Sequence, residues 1–163
     1  MKKILIVLLI GLLTLTITGC NSNEEFDVNL KKGDYQSICE REDNSDGIKI
    51  HTVTTTNYNS EKYAINMKIK ASYKYNTKES FDFYSEETKN TDEVYKKMKN
   101  VIFKYKIDKE NKTIKTLLVY EKIDLDDSNK ELYSKDVIVK ASLADNGTCK
   151  SIDMTKKELS LNN

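Results

Sequence analysis

The sequence predicts an α+β fold: an antiparallel sheet of about five strands, ordered as meander, helix and hairpin, with one or two short helices packed on one face. Three observations predict it. Across residues 63–75, Tyr63, Ile65, Met67, Ile69, Ala71, Tyr73 and Tyr75 alternate with smaller or charged residues. That is period two, the mark of a half-buried antiparallel strand. The same alternation returns at residues 101–107 and 114–120, on either side of a polar turn. Finally, Asp46-Gly47 stands before a run dense in β-branched residues, which is hairpin chemistry followed by strand composition.

Taken in order, residues 35–41 are expected as the first strand, with Tyr35, Ser37, Cys39 and Arg41 on one side. Asp46-Gly47 turns the chain, because both positions tolerate positive φ. Residues 48–57 form the second strand and residues 57–60 connect it to the third. An acidic, polar region at 85–90 follows, after which Thr91 is expected to cap a helix running to Asn100. Asp92 and Glu93 suit the positive end of its dipole, and Lys96, Lys97 and Lys99 the negative end. Val94 and Met98, one turn apart, would face the sheet. Residues 108–111 turn between the fourth and fifth strands, and residues 123–131 read as loop. Residues 134–145 fit a helix face through Val137, Ala141 and Ala144, and a strand face through Val137, Val139, Ala141 and Leu143. Ser134 as cap and Gly147 as stop favour the helix.

The N-terminus has the layout of an export signal over residues 1–19: Lys2 and Lys3, then an uncharged apolar run, then the small Gly19. The run is short for a spanning helix, which needs roughly 20 apolar residues. Ile17-Thr18-Gly19-Cys20 resembles the lipobox of bacterial lipoproteins. The resemblance implies cleavage between Gly19 and Cys20, fatty acylation of Cys20, and residence on the extracytoplasmic face of the cell membrane. Residues 20–33 are then expected as a polar tether, and residues 34–163 as a single domain.

Charge excludes some partners. The chain carries 27 Lys and Arg against 26 Asp and Glu, and the signal would take Lys2 and Lys3 with it. A near-neutral, exported domain is no nucleic-acid binder, which would show a strongly basic balance. Arg41 is the only arginine, so the arginine forks that suit phosphate or carboxylate clamps are not advertised.

Cys39 and Cys149 remain once Cys20 is acylated. An exported domain sits where disulfides form and persist, and these two are the available pair. Free thiols or a redox couple are the competing readings, although the C-x-x-C spacing usual for catalytic dithiols is missing.

The order of elements, the "YQSIC" at residues 35–39 and the "DNGTCK" at residues 145–150 resemble the YehR-like group of small bacterial lipoproteins from low-GC Gram-positive bacteria. The similarity implies an α+β fold with an antiparallel sheet. It brings no catalytic residues and no cofactor with it.

Candidate chemistry is sparse. His51 is the only histidine, so any Ser-His-Asp or Cys-His site would have to be built on it. Asp124, Asp126, Ser128 and Asn129 faintly resemble a calcium loop, but Asn129 stands where glycine is needed and Lys135 where a bidentate glutamate is needed. No Cys/His cluster suits zinc. Tyr73-Lys74-Tyr75 and Lys104-Tyr105-Lys106 read as strands with aromatics inward and lysines outward, or as a surface for a glycan or an anionic polymer. The function expected is a lipid-anchored, non-enzymatic module that binds a protein or polymer of the cell envelope. An inhibitor of an extracellular hydrolase is the alternative, and an envelope enzyme or redox protein using Cys39 and Cys149 a further one.

Overall fold

The computed structural model describes residues 26–144 and 147–159. The signal segment, the Gly19–Cys20 cleavage position and the acylation site Cys20 lie outside the described residues.

The chain builds a meander of β1 (Tyr35–Ser45), β2 (Ile48–Tyr58) and β3 (Ala64–Tyr75), then helix α1 (Lys78–Tyr95). A hairpin of β4 (Val101–Asp108) and β5 (Thr113–Tyr120) follows. A 3-10 turn (Lys130–Tyr133), α2 (Lys135–Ala144), β6 (Thr148–Asp153) and α3 (Met154–Leu159) complete it. The sheet has six strands in the order β4-β5-β3-β2-β1-β6, and every pairing is antiparallel. This α+β architecture has six strands where about five were expected. The extra one is β6, a short edge strand with no apolar alternation to announce it.

Asp46 and Gly47 both take positive φ, at 51° and 74°, as a tight hairpin turn between twisted strands requires. Cys39 and Cys149 face each other across β1 and β6 with Cα atoms 4.1 Å apart, and they form a disulfide. With the two cysteines 110 positions apart in sequence, the chain-entropy argument assigns such a link roughly 4–5 kcal/mol.

The central helix differs from the expectation. The cap is Thr77, whose Oγ1 accepts from the Ser80 amide at 3.2 Å. Thr91 lies well inside the helix, donating its hydroxyl to the Glu87 carbonyl at 2.8 Å. Val94 and Met98 do not face the sheet; they are 55% and 47% exposed. The shielded stripe is Phe81, Ser85, Thr88, Asp92 and Tyr95, spaced alternately by four and three residues. Three of these five are polar, so no hydrophobic period betrays the helix.

Residues 26–33 are also more than a tether. Lys68 Nζ donates to Asp27 Oδ1 at 2.8 Å and to the Val28 carbonyl at 3.1 Å, and Lys70 pairs with the other Asp27 oxygen at 2.9 Å. The Asn57 and Asn66 amides both donate to the Lys31 carbonyl, at 3.1 and 2.9 Å. Phe26, Val28 and Leu30 are half-buried. The segment therefore lies as a strap along β3. Gly33 follows because a Cβ there would meet the Tyr58 carbonyl oxygen at 2.3 Å.

Register sorts side chains onto two faces. One carries Ile69, Ala71, Tyr73 and Tyr75 of β3, with Ile114, Thr116 and Leu118 of β5 and Phe103 and Tyr105 of β4. Here Tyr75, Phe81 and Ile114 form a buried cluster on which Ile48, Tyr73 and Ile107 pack. The opposite face carries Asn66, Lys68, Lys70 and Lys74 with Leu117 and Val119, both fully buried on the side where the strap runs.

Candidate functional site

A groove of about 390 Å³ opens between α1 and the first of these faces. Its floor is Ile69, Ala71 and Tyr73 of β3 with Thr116 and Leu118 of β5, and its helical wall is Tyr84, Glu87, Thr88, Thr91 and Tyr95. Alternate residues of a strand are roughly 6.5–7 Å apart, so Ile69 to Tyr75 makes the floor elongated.

Aromatic pairs close its two ends. Tyr75 and Tyr84 stack with centroids 5.4 Å apart, while Tyr95 lies against Phe103 at 5.2 Å. Phe103 also meets Tyr105 at 6.1 Å. Such pairs are worth about 0.5–1.5 kcal/mol beyond the area they bury. Tyr75 is buried and Tyr84 is 41% exposed, so this stack has a fixed inner ring and an open outer one, whereas Tyr95 and Phe103 are both half-buried. Burial pushes the Tyr75 phenol up to about 12, and its neighbours Tyr73 and Tyr84 add to the effect. It stays neutral at any physiological pH.

The polar groups of the lining are few. The Thr88 and Thr91 hydroxyls are spent on the carbonyls of Tyr84 and Glu87, at 2.7 and 2.8 Å. Glu87 is the carboxylate among the lining residues, and Asn90 Nδ2 approaches it at 3.4 Å. Such a surface can stack flat or apolar groups and hold one cation at its rim.

The second feature is the opposite face. Lys49 of β2, Lys74 of β3, Lys115 of β5, and Lys104 and Lys106 of β4 all point there and are exposed. Two of the cross-strand pairs are lysine opposite lysine: Lys49 with Lys74, and Lys106 with Lys115. Like charges directly opposite destabilise a sheet. Acids share this face, Asp108 among them, two residues along β4 from Lys106. Glu40 and Glu42 stand on β1, and Asp108 accepts from Asn111 at 3.0 and 2.9 Å.

The other sequence candidates do not converge on either feature. His51 meets Glu40 at 2.6 Å, both partly exposed, on the lysine-bearing side of β2. Asp126 turns its carboxylate inward on its own loop, accepting from Ser128 N, Ser128 Oγ and Asn129 N at 2.9, 2.5 and 3.1 Å. Asp124 pairs with Lys122. No group of acidic, histidine and cysteine side chains suited to a metal ion occurs among the described residues. The disulfide sits under α2, with Cys39 4% exposed and Cys149 Sγ 3.9 Å from the Val139 carbonyl. The tyrosine-lysine alternations do what period two demands: Tyr73 and Tyr75 line the groove, Tyr105 lies beside Phe103 on the same face, and the lysines go to the far face. The groove escaped sequence reading because half of it is α1, whose inward stripe is polar.

No helix among the described residues is long and apolar enough to cross a membrane. Comparisons with family models, with curated proteins and with solved structures found no match.

Proposed function

We propose that the protein is a lipid-anchored, extracytoplasmic binding module whose ligand site is the aromatic groove. In this reading Cys20 carries the lipid, the free tether ends near Asp27, and α1 and α2 cover the same side of the sheet. The observation that carries it is the groove between α1 and β3, lined by Tyr73, Tyr75, Tyr84, Tyr95 and Phe103. Largely preformed, mostly apolar clefts with a few polar groups are where ligands bind, and exposed aromatic rings supply contact area at low entropic cost. A flat or apolar portion of an envelope protein or polymer is the ligand such rings accept.

A photo-crosslinking amino acid placed at Thr91, inside the groove, tests this in growing cells against the same group at Asn111 on the exposed turn. A discrete envelope component attached at Thr91 and missing from Asn111 supports the binding reading. Equal or no labelling at both positions sinks it. Turnover of a wall or peptide substrate by the purified domain, lost in Glu87→Gln, would replace it with the enzyme reading. The anchor is tested separately: Cys20→Ala should abolish labelling by a fatty-acid probe.

A further inference from the structure

We infer that the lysine face is a membrane-docking surface, which lies against the anionic headgroups of the bilayer that holds the anchor and turns the groove toward the surroundings. The inference rests on the reading of Cys20 as the lipid-bearing residue, and on three further observations.

The first is the sorting of charge. Every lysine within the strands falls on one face: Lys49, Lys68, Lys70, Lys74, and across the sheet Lys104, Lys106, Lys115 and Lys150. Among these, Lys68 and Lys70 share the single carboxylate of Asp27. Lys49, Lys74, Lys106 and Lys115 are exposed and cluster over β2, β3, β4 and β5, beyond the end of the strap, while Lys150 stands apart on β6. The domain as a whole is near neutral, so the field is local and directional.

The second is its cost to the fold. Lys106 opposite Lys115, and Lys49 opposite Lys74, are repulsive neighbours that a sheet built only for stability would avoid. Planar ranks of phosphate-bearing lipids relieve that repulsion, because each lysine near an anionic bilayer gains attraction in turn.

The third is where the chain leaves. The strap holds Lys31 beside Asn66 and Asp27 beside Lys68 and Lys70. Followed backward from Lys31 to Asp27, it runs in the direction of Lys74. Residues 21–26 are all that separate Cys20 from Asp27, a reach of at most about 25 Å fully extended. The chain therefore leaves the described domain on the lysine side. A tether this short lets the lysines come within the roughly 8–10 Å over which surface charge is felt at physiological salt.

The test uses residues 20–163 without their lipid, a form that keeps every described element. Its partitioning is measured on vesicles of phosphatidylcholine alone and of phosphatidylcholine mixed with phosphatidylglycerol. Binding should require phosphatidylglycerol and weaken with salt. The triple variant Lys74→Gln, Lys106→Gln, Lys115→Gln should bind roughly a hundredfold more weakly, or about 1 kcal/mol for each lysine. Lys97→Gln with Lys99→Gln, exposed residues outside the strands, should bind like the parent, and circular dichroism should show all variants folded. Equal binding to both vesicles, or a triple variant that binds like the parent, overturns the inference. So does a face that ignores vesicles but binds purified teichoic acid through the same lysines, which would assign it to a wall polymer. Loss of the anchor reading would instead show in the fatty-acid labelling of Cys20, which this assay does not use.

Discussion

The two faces of the sheet are made from the same strands and differ in almost everything else. One is aromatic, without strand lysines, and leaves an open groove of about 390 Å³ beneath α1. The other is split between the strap, under which Leu117 and Val119 are fully buried, and a field of exposed lysines. Period two is what separates them: Tyr73-Lys74-Tyr75 and Lys104-Tyr105-Lys106 each send aromatic and cationic groups in opposite directions. The lesson concerns where stability lives. The face with the large rings is closed around Ile114 and open beside it, whereas the face with the charges fully buries Leu117 and Val119.

The sharpest way to break this comparison is a pair of truncations. Leu117→Ala should cost about 2–5 kcal/mol, the range for a buried leucine whose cavity cannot collapse. Ile69→Ala, on the groove floor, should cost about 1 kcal/mol or less, because part of its surface already faces open space. Denaturant titration of both variants measures the difference, and equal costs would mean that the groove is as closed as the strap side.

Alkaline titration probes the groove alone. The Tyr75 phenol is held near 12 by burial against an ordinary value near 10. A phenol whose folded value is raised contributes stability in full below its unfolded value and loses it as pH climbs through the folded one. Stability should therefore fall between about pH 10 and 12, and Tyr75→Phe should flatten the fall. An unchanged slope in that variant would place the open edge of the groove over Tyr75.

Acid probes the strap. Burial raises the Asp27 carboxyl, but hydrogen bonds from Lys68 and Lys70 outweigh it and hold the group well below the usual carboxylate range. Its contribution is present above the unfolded value near 4 and fades only under strongly acidic conditions. Partial exposure limits it to about 0.5–1 kcal/mol, as for other solvent-screened pairs. Asp27→Asn should lower stability by that amount at neutral pH and speed hydrogen exchange at Val28. No change in exchange would detach the strap from its lysines.

The smallest expected effect has the opposite sign. Lys115→Thr removes one member of a repulsive pair and puts a strand-favouring residue in its place. It should stabilise the fold by about 0.2–1 kcal/mol while weakening vesicle binding. A stabilised variant that still binds fully would separate the lysine face from the membrane.

Strands were legible where alternation ran long, as at Ile65 to Tyr75, and the lysines of β3 and β4 could be placed outward from that pattern alone. Their cross-strand partners could not. Lys106 meets Lys115 only because the turn between them has a particular length and puts Lys112 at a φ of +48°, and register follows turn geometry rather than alternation. Two other elements hid behind chemistry. The Phe81, Ser85, Thr88, Asp92, Tyr95 stripe is helical in spacing but not in hydrophobicity, and Phe26, Val28 and Leu30 alternate too briefly to read as a packed segment. The groove depends on the first and the strap on the second, so neither was visible before the fold was.

The disulfide has a mechanical consequence. A pull applied through the N-terminal end would load the strap first, breaking the Lys68 and Lys70 contacts to Asp27 and Val28 and then the two amide contacts to Lys31. It would then peel β1 from its neighbours, beginning at Tyr35, and stop at Cys39, where the covalent link passes the tension to Cys149. Residues 40–148 lie inside that covalent loop, so a pull between the two ends of the chain bypasses them. β3, β4, β5 and α1, which together frame the groove, are all within it. Under such end-to-end tension the domain should yield by about a dozen residues and then hold, so the groove keeps its shape.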